Sequence, residues 1–312
     1  MPLPQEKAGK KRFTAVRHFK LQLGTKCNSV PQNAEMLQHT FCHIPGIGRK
    51  IETKLWETGI TTWDKWRDPS PIRLSAIIRA DADHTLKSSV AALSNDPSFF
   101  TKRLDSSEVW RIFPHYRART AYLDIETTGL DDFAEVTTIA LYDGKEVFTF
   151  INGINLDDFV DAIGKFQVIV SYNGKSFDIP IIERFFQIKL NQAQIDLRYV
   201  LARLGFKGGL KGCEKMLGMN RGYLDGVDGY FAVLLWQRYR DYSDQQALHT
   251  LLAYNTLDTV NLERLAVEAY NRNVAGSPFG KELALPFPAA PTIPFHADPE
   301  CVERIKRSLP SW

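Results

Sequence analysis

The chain has 312 residues, 44% hydrophobic and 24% charged, with a formal net charge of +3. That composition belongs to a soluble globular protein with one large or two modest domains. No segment approaches the apolar length of a bilayer span, and Met1-Pro2-Leu3-Pro4-Gln5 leads into lysines rather than an apolar stretch, so no membrane and a cytoplasmic location are expected. Cys27, Cys42, Cys213 and Cys301 are scattered without a Cys-x-x-Cys pair, which fits reduced thiols rather than a disulfide framework. Cys27, His39, Cys42 and His43 could be set around zinc, but their spacing follows no familiar ligand pattern.

Charge is uneven along the chain. Residues 1–26 carry seven basic side chains against Glu6, a net of +6 that leaves −3 on the remainder. Residues 1–30 therefore read as a basic arm, either a phosphate-binding extension or a solubilising tail.

Residues 31–100 read as a small helical domain. Met36, Leu37, Phe41 and Ile44 suit a short helix over Asn33–His43. It runs into Ile44-Pro45-Gly46-Ile47-Gly48-Arg49-Lys50, followed by Ile51, Leu55 and Trp56 at helical spacing. This run resembles a helix-hairpin-helix motif. The resemblance implies that Gly46 and Gly48 permit a tight hairpin, that N–H groups at the second helix face a nucleic-acid phosphate, and that Lys50 adds a charge beside them. Plain structural turns of this kind also exist. After the turn Asp68-Pro69-Ser70-Pro71, Ile72, Leu74, Ile77 and Ile78, then Leu86, Val90 and Leu93, predict two more short helices, broken at Asn95-Asp96-Pro97-Ser98. A connector with Trp110, Phe113 and Tyr116 follows, its aromatics suited to packing rather than to base stacking.

Residues 110–273 change to an α/β pattern. In Ala121-Tyr122-Leu123-Asp124-Ile125-Glu126-Thr127-Thr128-Gly129-Leu130, a strand sends Leu123 and Ile125 to one face and Asp124 and Glu126 to the other. Two carboxylates on one strand face repel and need neutralising, although a lone Asp-x-Glu also fits a solvated polar face. Glu135–Tyr142 and Glu146–Ile151 read as strands joined at Asp143-Gly144, Leu156–Phe166 as a helix and Val168–Tyr172 as a buried strand. A meander of three strands, then helix and strand, is the order of the ribonuclease-H-like fold.

The second acidic segment is Ser171-Tyr172-Asn173-Gly174-Lys175-Ser176-Phe177-Asp178-Ile179-Pro180. A strand ends, Asn173-Gly174 turns, Pro180 fits a first helical turn, and Asp178 stands at the helix start, where it could also serve as a simple cap. Helices are expected over Tyr230–Tyr239 and Asp244–Tyr270, and the latter carries Tyr254 and Asp258 four residues apart on one face. Lys211 and Lys215 share another helical face, with Lys207 shortly before. Asp196, Asp225 and Asp228 gain no ligand role from their spacing. Residues 274–312 are proline-rich and are expected to wrap or dangle.

Together the three acidic segments resemble the DEDD exonuclease superfamily, with Asp-x-Glu on a first strand, an Asn-to-Asp turn at a helix start, and Tyr-x-x-x-Asp on a late helix. More closely, the Asp124 strand, the Asn173–Asp178 turn and the Leu210–Lys215 region look like the YprB-type ribonuclease-H-like family. A subgroup with histidine would carry it where this chain has Ala253, so the match is to the tyrosine subgroup. The resemblance implies a mixed five-stranded ribonuclease-H-like sheet flanked by helices, with the smaller N-terminal helical domain. It also implies a 3′–5′ exonuclease acting on DNA or RNA through two Mg²⁺ or Mn²⁺ ions. Asp124 would bridge the ions, Glu126 and Asp258 would hold the one that activates water, Asp178 would support the second, and Tyr254 would orient the water. Asn173 and Lys175 could touch a phosphate. The alternatives are an inactive nucleic-acid-binding or scaffolding protein of that fold, or an endonuclease.

Overall fold

The computed structural model describes residues 35–131 and 133–308, and the basic arm lies outside them. Glu35–Thr40 forms overlapping turns, not the helix expected over Asn33–His43. The N–H groups of Gln38, His39 and Thr40 each bond the carbonyl three residues back. The next backbone groups go to side chains. Glu52, on helix α1 (Arg49–Glu57), accepts from the N–H groups of Phe41 at 2.6 Å and Cys42 at 3.1 Å, while the Trp56 and Trp63 indoles donate to the carbonyls of His39 and Thr40. Groups spent this way cannot continue a helix.

Helix α2 (Ala76–Ala92) is one element where two short ones were expected, because Ala80-Asp81-Ala82-Asp83 interrupts the apolar pattern without supplying a breaker. Ser75 caps it, accepting from the Ile78 N–H at 3.2 Å. The break at residues 95–98 starts helix α3 (Pro97–Thr101), capped by Asp96, and the one-turn helix α4 (Phe113–Tyr116) leads to the sheet. Met36, Leu37, Phe41 and Leu55 share one hydrophobic cluster with Tyr122, Val168, Leu265 and Tyr270, so the N-terminal helices pack into the same core as the sheet.

Five strands, β1 (Thr120–Thr127), β2 (Val136–Tyr142), β3 (Val147–Ile151), β4 (Val168–Ser171) and β5 (Ala193–Asp196), form one mixed sheet in the order β3-β2-β1-β4-β5. The first three are antiparallel, and β1, β4 and β5 are parallel, connected through helices α5 (Asp158–Ile163) and α6 (Asp178–Phe186). At the β2–β3 turn, Asp143 accepts from the N–H groups of Lys145 and Glu146, and Gly144 takes a φ of +89°. Ala121, Leu123 and Ile125 enter one core with Ile139, Leu141, Phe159 and Ile182, while Tyr122 enters the cluster on the other face. Asp124 pairs with Ala140 and Glu126 with Thr138, and the register shifts just after Glu126.

Helices α7 (Leu197–Arg203), α8 (Gly209–Met216) and α9 (Gly229–Tyr242) precede the 31-residue α10 (Gln245–Ala275), which packs against β1 and β2. Asp244 caps α10, accepting from the N–H groups of Gln246 and Ala247. A short α11 (Gly280–Leu283) and an extended stretch follow, and α12 (Pro299–Ser308) buries Cys301, Val302 and Ile305 against the α9–α10 cluster. Cys42, Cys213 and Cys301 are free thiols, and Cys27 lies outside the described residues. Among the described residues no helix is long and apolar enough to cross a membrane.

Candidate metal centre

The sheet face opposite Leu123 and Ile125 carries Asp124 and Glu126 into contact with α10, whose inward side bears Tyr254, Asn255 and Asp258. Asp124, Glu126 and Asp258 each offer an oxygen, and these atoms all lie within 4.8 Å of one another. Glu126 and Asp258 are buried and Asp124 is half-buried. No other group of His, Cys, Asp or Glu side chains gathers in this way among the described residues, so His39, Cys42 and His43 form no such centre.

Each carboxylate has its own support. Asn255, fully buried, donates from Nδ2 to Asp124 Oδ2 at 2.7 Å, and its own side-chain oxygen is fixed by the Thr138 hydroxyl at 3.0 Å. This brace orients Asp124. Asn255 was not among the expected site residues. Its signal in the sequence is a polar pair, Asn255 and Thr259, four apart on the face of a helix that must cover a sheet. Asp258 accepts from the Arg221 guanidinium, which also donates to Glu214 Oε2 at 2.6 Å, and Glu214 accepts from Asn261 Nδ2 at 2.6 Å. Glu214 and Arg221 were not expected either, and no local spacing links them to Asp258.

Asp178 stands apart from the other three. It is the first residue of α6, and its Oδ1 accepts from the N–H of Ile125 at 3.2 Å, which ties it to β1 between Asp124 and Glu126. The turn before it is built on Asp196, a fully buried residue at the end of β5. Asp196 accepts from the N–H groups of Asn173 at 2.7 Å, Lys175 at 3.2 Å and Arg198 at 3.0 Å. Asn173 is left-handed, with φ of 65°, and its side-chain oxygen accepts from Ser176 Oγ and Arg198. At Gly174 an added Cβ would lie 2.1 Å from Ser171 Oγ, so only glycine fits the turn that aims Asp178. Lys175 is half-exposed beside it. Asp228, which has no ligand role, caps α9.

Tyr254 is 2% exposed, and the Lys211 ammonium both donates to its hydroxyl and lies 4.4 Å from its ring centroid. Burial first, then the charges of Asp258, Glu126 and Asp124, push the Tyr254 pKa up, so the phenol is neutral near pH 7. Gly46, Gly48 and Lys50 lie elsewhere. Gly46 (φ +81°) passes so near α2 that a Cβ would meet Ile78 at 2.9 Å, Gly48 is the N-cap of α1, and Lys50 is exposed. None of the three shares a hydrogen bond or ion pair with the acidic group.

Electrostatics defines what the group can hold. Burial, followed by the charges of Asp258, Glu126 and Asp178, raises the Asp124 pKa well above the carboxylate range; burial and Asp258 raise that of Glu126 likewise. Burial pushes Asp178 up to about 7, against the lowering effect of the N–H bonds it accepts. Such carboxylates hold protons unless a cation replaces them. Every donor is a carboxylate oxygen, the ligand class of Mg²⁺ and Mn²⁺. The residues fit such an ion: Asp124, Glu126 and Asp258 would hold one directly, and Asp178, tied to β1 at the Ile125 N–H, lies outside that group.

A family match agrees with this architecture. The family RNase_H_2, of the RNase_H superfamily, matches residues 121–270. Together with the strand order, that match makes the α/β part of the chain a ribonuclease-H-like domain, with helices N-terminal to it. Among solved structures, the family B DNA polymerase from the hyperthermophilic archaeon Pyrobaculum calidifontis aligns at 17% identity with a TM-score of 0.38. The alignment covers 54% of this chain and 27% of the polymerase chain. No curated protein matches the sequence.

Proposed function

We propose that the chain is a metal-dependent nuclease that hydrolyses phosphodiester bonds of nucleic acid, trimming from the 3′ end. The observation that carries this reading is the convergence of Asp124, Glu126 and Asp258, from β1 and α10, within 4.8 Å at a buried site. Divalent ions bound there supply a water of lowered pKa and neutralise charge on the leaving oxygen. In the two-ion reading Asp124 would serve both ions, Glu126 and Asp258 would hold the first, and Asp178 would support the second. Asn255 keeps Asp124 turned toward the centre. Tyr254, neutral and clamped by Lys211, orients the attacking water through its hydroxyl and takes no proton. Asn173 and Lys175, on the turn that presents Asp178, contact phosphate next to the broken bond. Gly46, Gly48 and Lys50 are assigned to backbone phosphates farther along the strand, where an exposed helix start and a lysine bind without reading bases.

The test incubates the full chain with end-labelled single-stranded DNA, duplex DNA and RNA, with Mg²⁺, Mn²⁺ or EDTA. Stepwise shortening from the 3′ end in metal alone is expected. Internal fragments would convert the reading to an endonuclease, and binding without cutting to a scaffold.

A further inference from the structure

Arg221 sits between two carboxylates that belong to different tasks. Its guanidinium donates to Glu214 Oε2 at 2.6 Å and to Asp258 Oδ1, and it is 7% exposed. Glu214 is fully buried and held on its other oxygen by Asn261, one turn beyond Asp258 on α10. Among the described residues, the ion pair of Asp258 is with Arg221. The arginine lies in the α8–α9 connection between Gly218 and Gly222, both left-handed, and its Nε is buried with no acceptor. Glu214 is thus a fixed anchor, and Asp258 is a second carboxylate that the same guanidinium shares with the metal centre.

We propose that Arg221 is the resident counter-ion of the acidic centre, pairing with Asp258 when no divalent ion is bound and yielding it when one is. The proposal rests on the metal-dependent reading above and names the group against which the ion must compete. An ion among Asp124, Glu126 and Asp258 would stand within a side chain's reach of the guanidinium, and like charges in a poorly hydrated site repel strongly. Two effects then oppose each other when Arg221 is removed. Asp258 loses a hydrogen-bonded brace, which loosens metal binding, and the site loses a competing positive charge, which tightens it. The second dominates, since repulsion between a divalent ion and a buried unit charge exceeds the net worth of one hydrogen bond.

Glu214 supplies the discriminating experiment. Arg221→Gln and Glu214→Gln break the same ion pair, so a purely structural role would shift metal affinity in the same direction in both. A counter-ion gives opposite signs: R221Q deletes the competing cation, and E214Q deletes the anion that offsets it. Mn²⁺ binding by the full chain, followed without substrate by the electron paramagnetic resonance of free Mn²⁺, is expected to tighten about tenfold in R221Q, or roughly 1.4 kcal/mol. It is expected to weaken severalfold in E214Q. If R221Q fails to fold because Glu214 is left buried and unpaired, E214Q/R221Q replaces it, and this pair is expected to bind more tightly than E214Q alone. Shifts of the same sign, or no shift in a folded R221Q, would overturn the proposal while leaving the metal centre standing. Mn²⁺ binding that is absent from the wild type and all these variants, or that survives Asp124→Asn, would overturn the metal reading and this proposal with it.

Discussion

Two of the buried charge sets among the described residues differ in balance. Beneath α1, Arg111 is 2% exposed and meets Glu52 at 2.8 Å and Glu108 at 2.9 Å, while Arg49 and Arg203 also reach Glu108. Each carboxylate there has a cation: Glu52 pairs with the buried Arg111, and Glu108 with Arg111 and the more exposed Arg49 and Arg203. Burial, the largest influence on Glu108, pushes its pKa up, but Arg49 and Arg111 more than reverse it, and the net shift is down. In the acidic centre the carboxylates outnumber their cations, and Asp124, Glu126 and Asp178 are shifted up. Burial of charge therefore does not mark a functional site. An unbalanced buried set is the better pointer to one, because its members must take up either protons or a cation.

The contrast breaks most visibly at Asp124. On the proposed two-ion reading, Asp124→Asn should cut metal-dependent turnover by more than about a thousandfold, because the carboxylate that would serve both ions is lost. The metal-free protein should melt close to wild type, since the amide matches in size and neutrality the protonated carboxyl that the metal-free site holds. Comparable turnover in a folded D124N protein would end the assignment. On the balanced side, Arg111→Met should leave Glu52 and Glu108 under-compensated and destabilise by about 3–5 kcal/mol, with turnover per folded molecule unchanged. Urea denaturation with an activity assay on the same samples reads both quantities.

The pH dependence of metal-free stability sharpens the comparison. A carboxyl whose folded pKa is raised binds its proton more tightly in the native state, so Asp178 favours folding below about pH 4 and loses that contribution as pH rises toward about 7. Glu108, shifted down, acts with the opposite sign: its contribution is present above the unfolded carboxylate pKa and disappears as pH falls through the lower folded value. Thermal melts of metal-free protein should therefore show stability declining from pH 4 to 7, and Asp178→Asn should flatten the decline. Saturating Mg²⁺ should do the same in the wild type. A smaller effect belongs to Lys50, which sits in neither charge set. Lys50→Ala should reduce the slope of log K against log salt for nucleic-acid binding by about 0.7–0.9, one phosphate contact, and leave turnover at saturation alone. An unchanged slope would remove the helix start at Gly48 from the binding surface.

What the sequence disclosed follows from the range of the interactions involved. Asp124 with Glu126, and Tyr254 with Asp258, carry fixed spacings, two residues on a strand and four on a helix, so each pair is legible from the order of residues alone. Asp178 is legible from the Asn173-Gly174 turn and Pro180. The braces are not. Asn255 meets Asp124 across 131 positions and Arg221 meets Asp258 across 37, distances at which no periodicity operates. The four-residue β5 is too short for a pattern, and α12 lies hidden in a stretch whose prolines dominate its composition. The helix expected over Asn33–His43 fails because Glu52 and two indoles compete for its backbone, a tertiary effect outweighing a local one.

Helix α10 has a consequence for how the molecule fails. At 31 residues it is about 46 Å long. It carries Asp258 near its midpoint, bonds Arg117 through Glu263 at 2.7 Å farther along, and packs Tyr270 against Trp110 near its C-terminal end. The element that carries Asp258 into the acidic centre is thus also the beam on which the connector and the N-terminal helices are assembled. Amide hydrogens around Asn255–Thr259 are therefore expected to exchange with solvent at the free energy of global unfolding, which native-state hydrogen exchange measures. Heating is therefore expected to dismantle the acidic centre and the fold in a single event, with no intact shell outliving it.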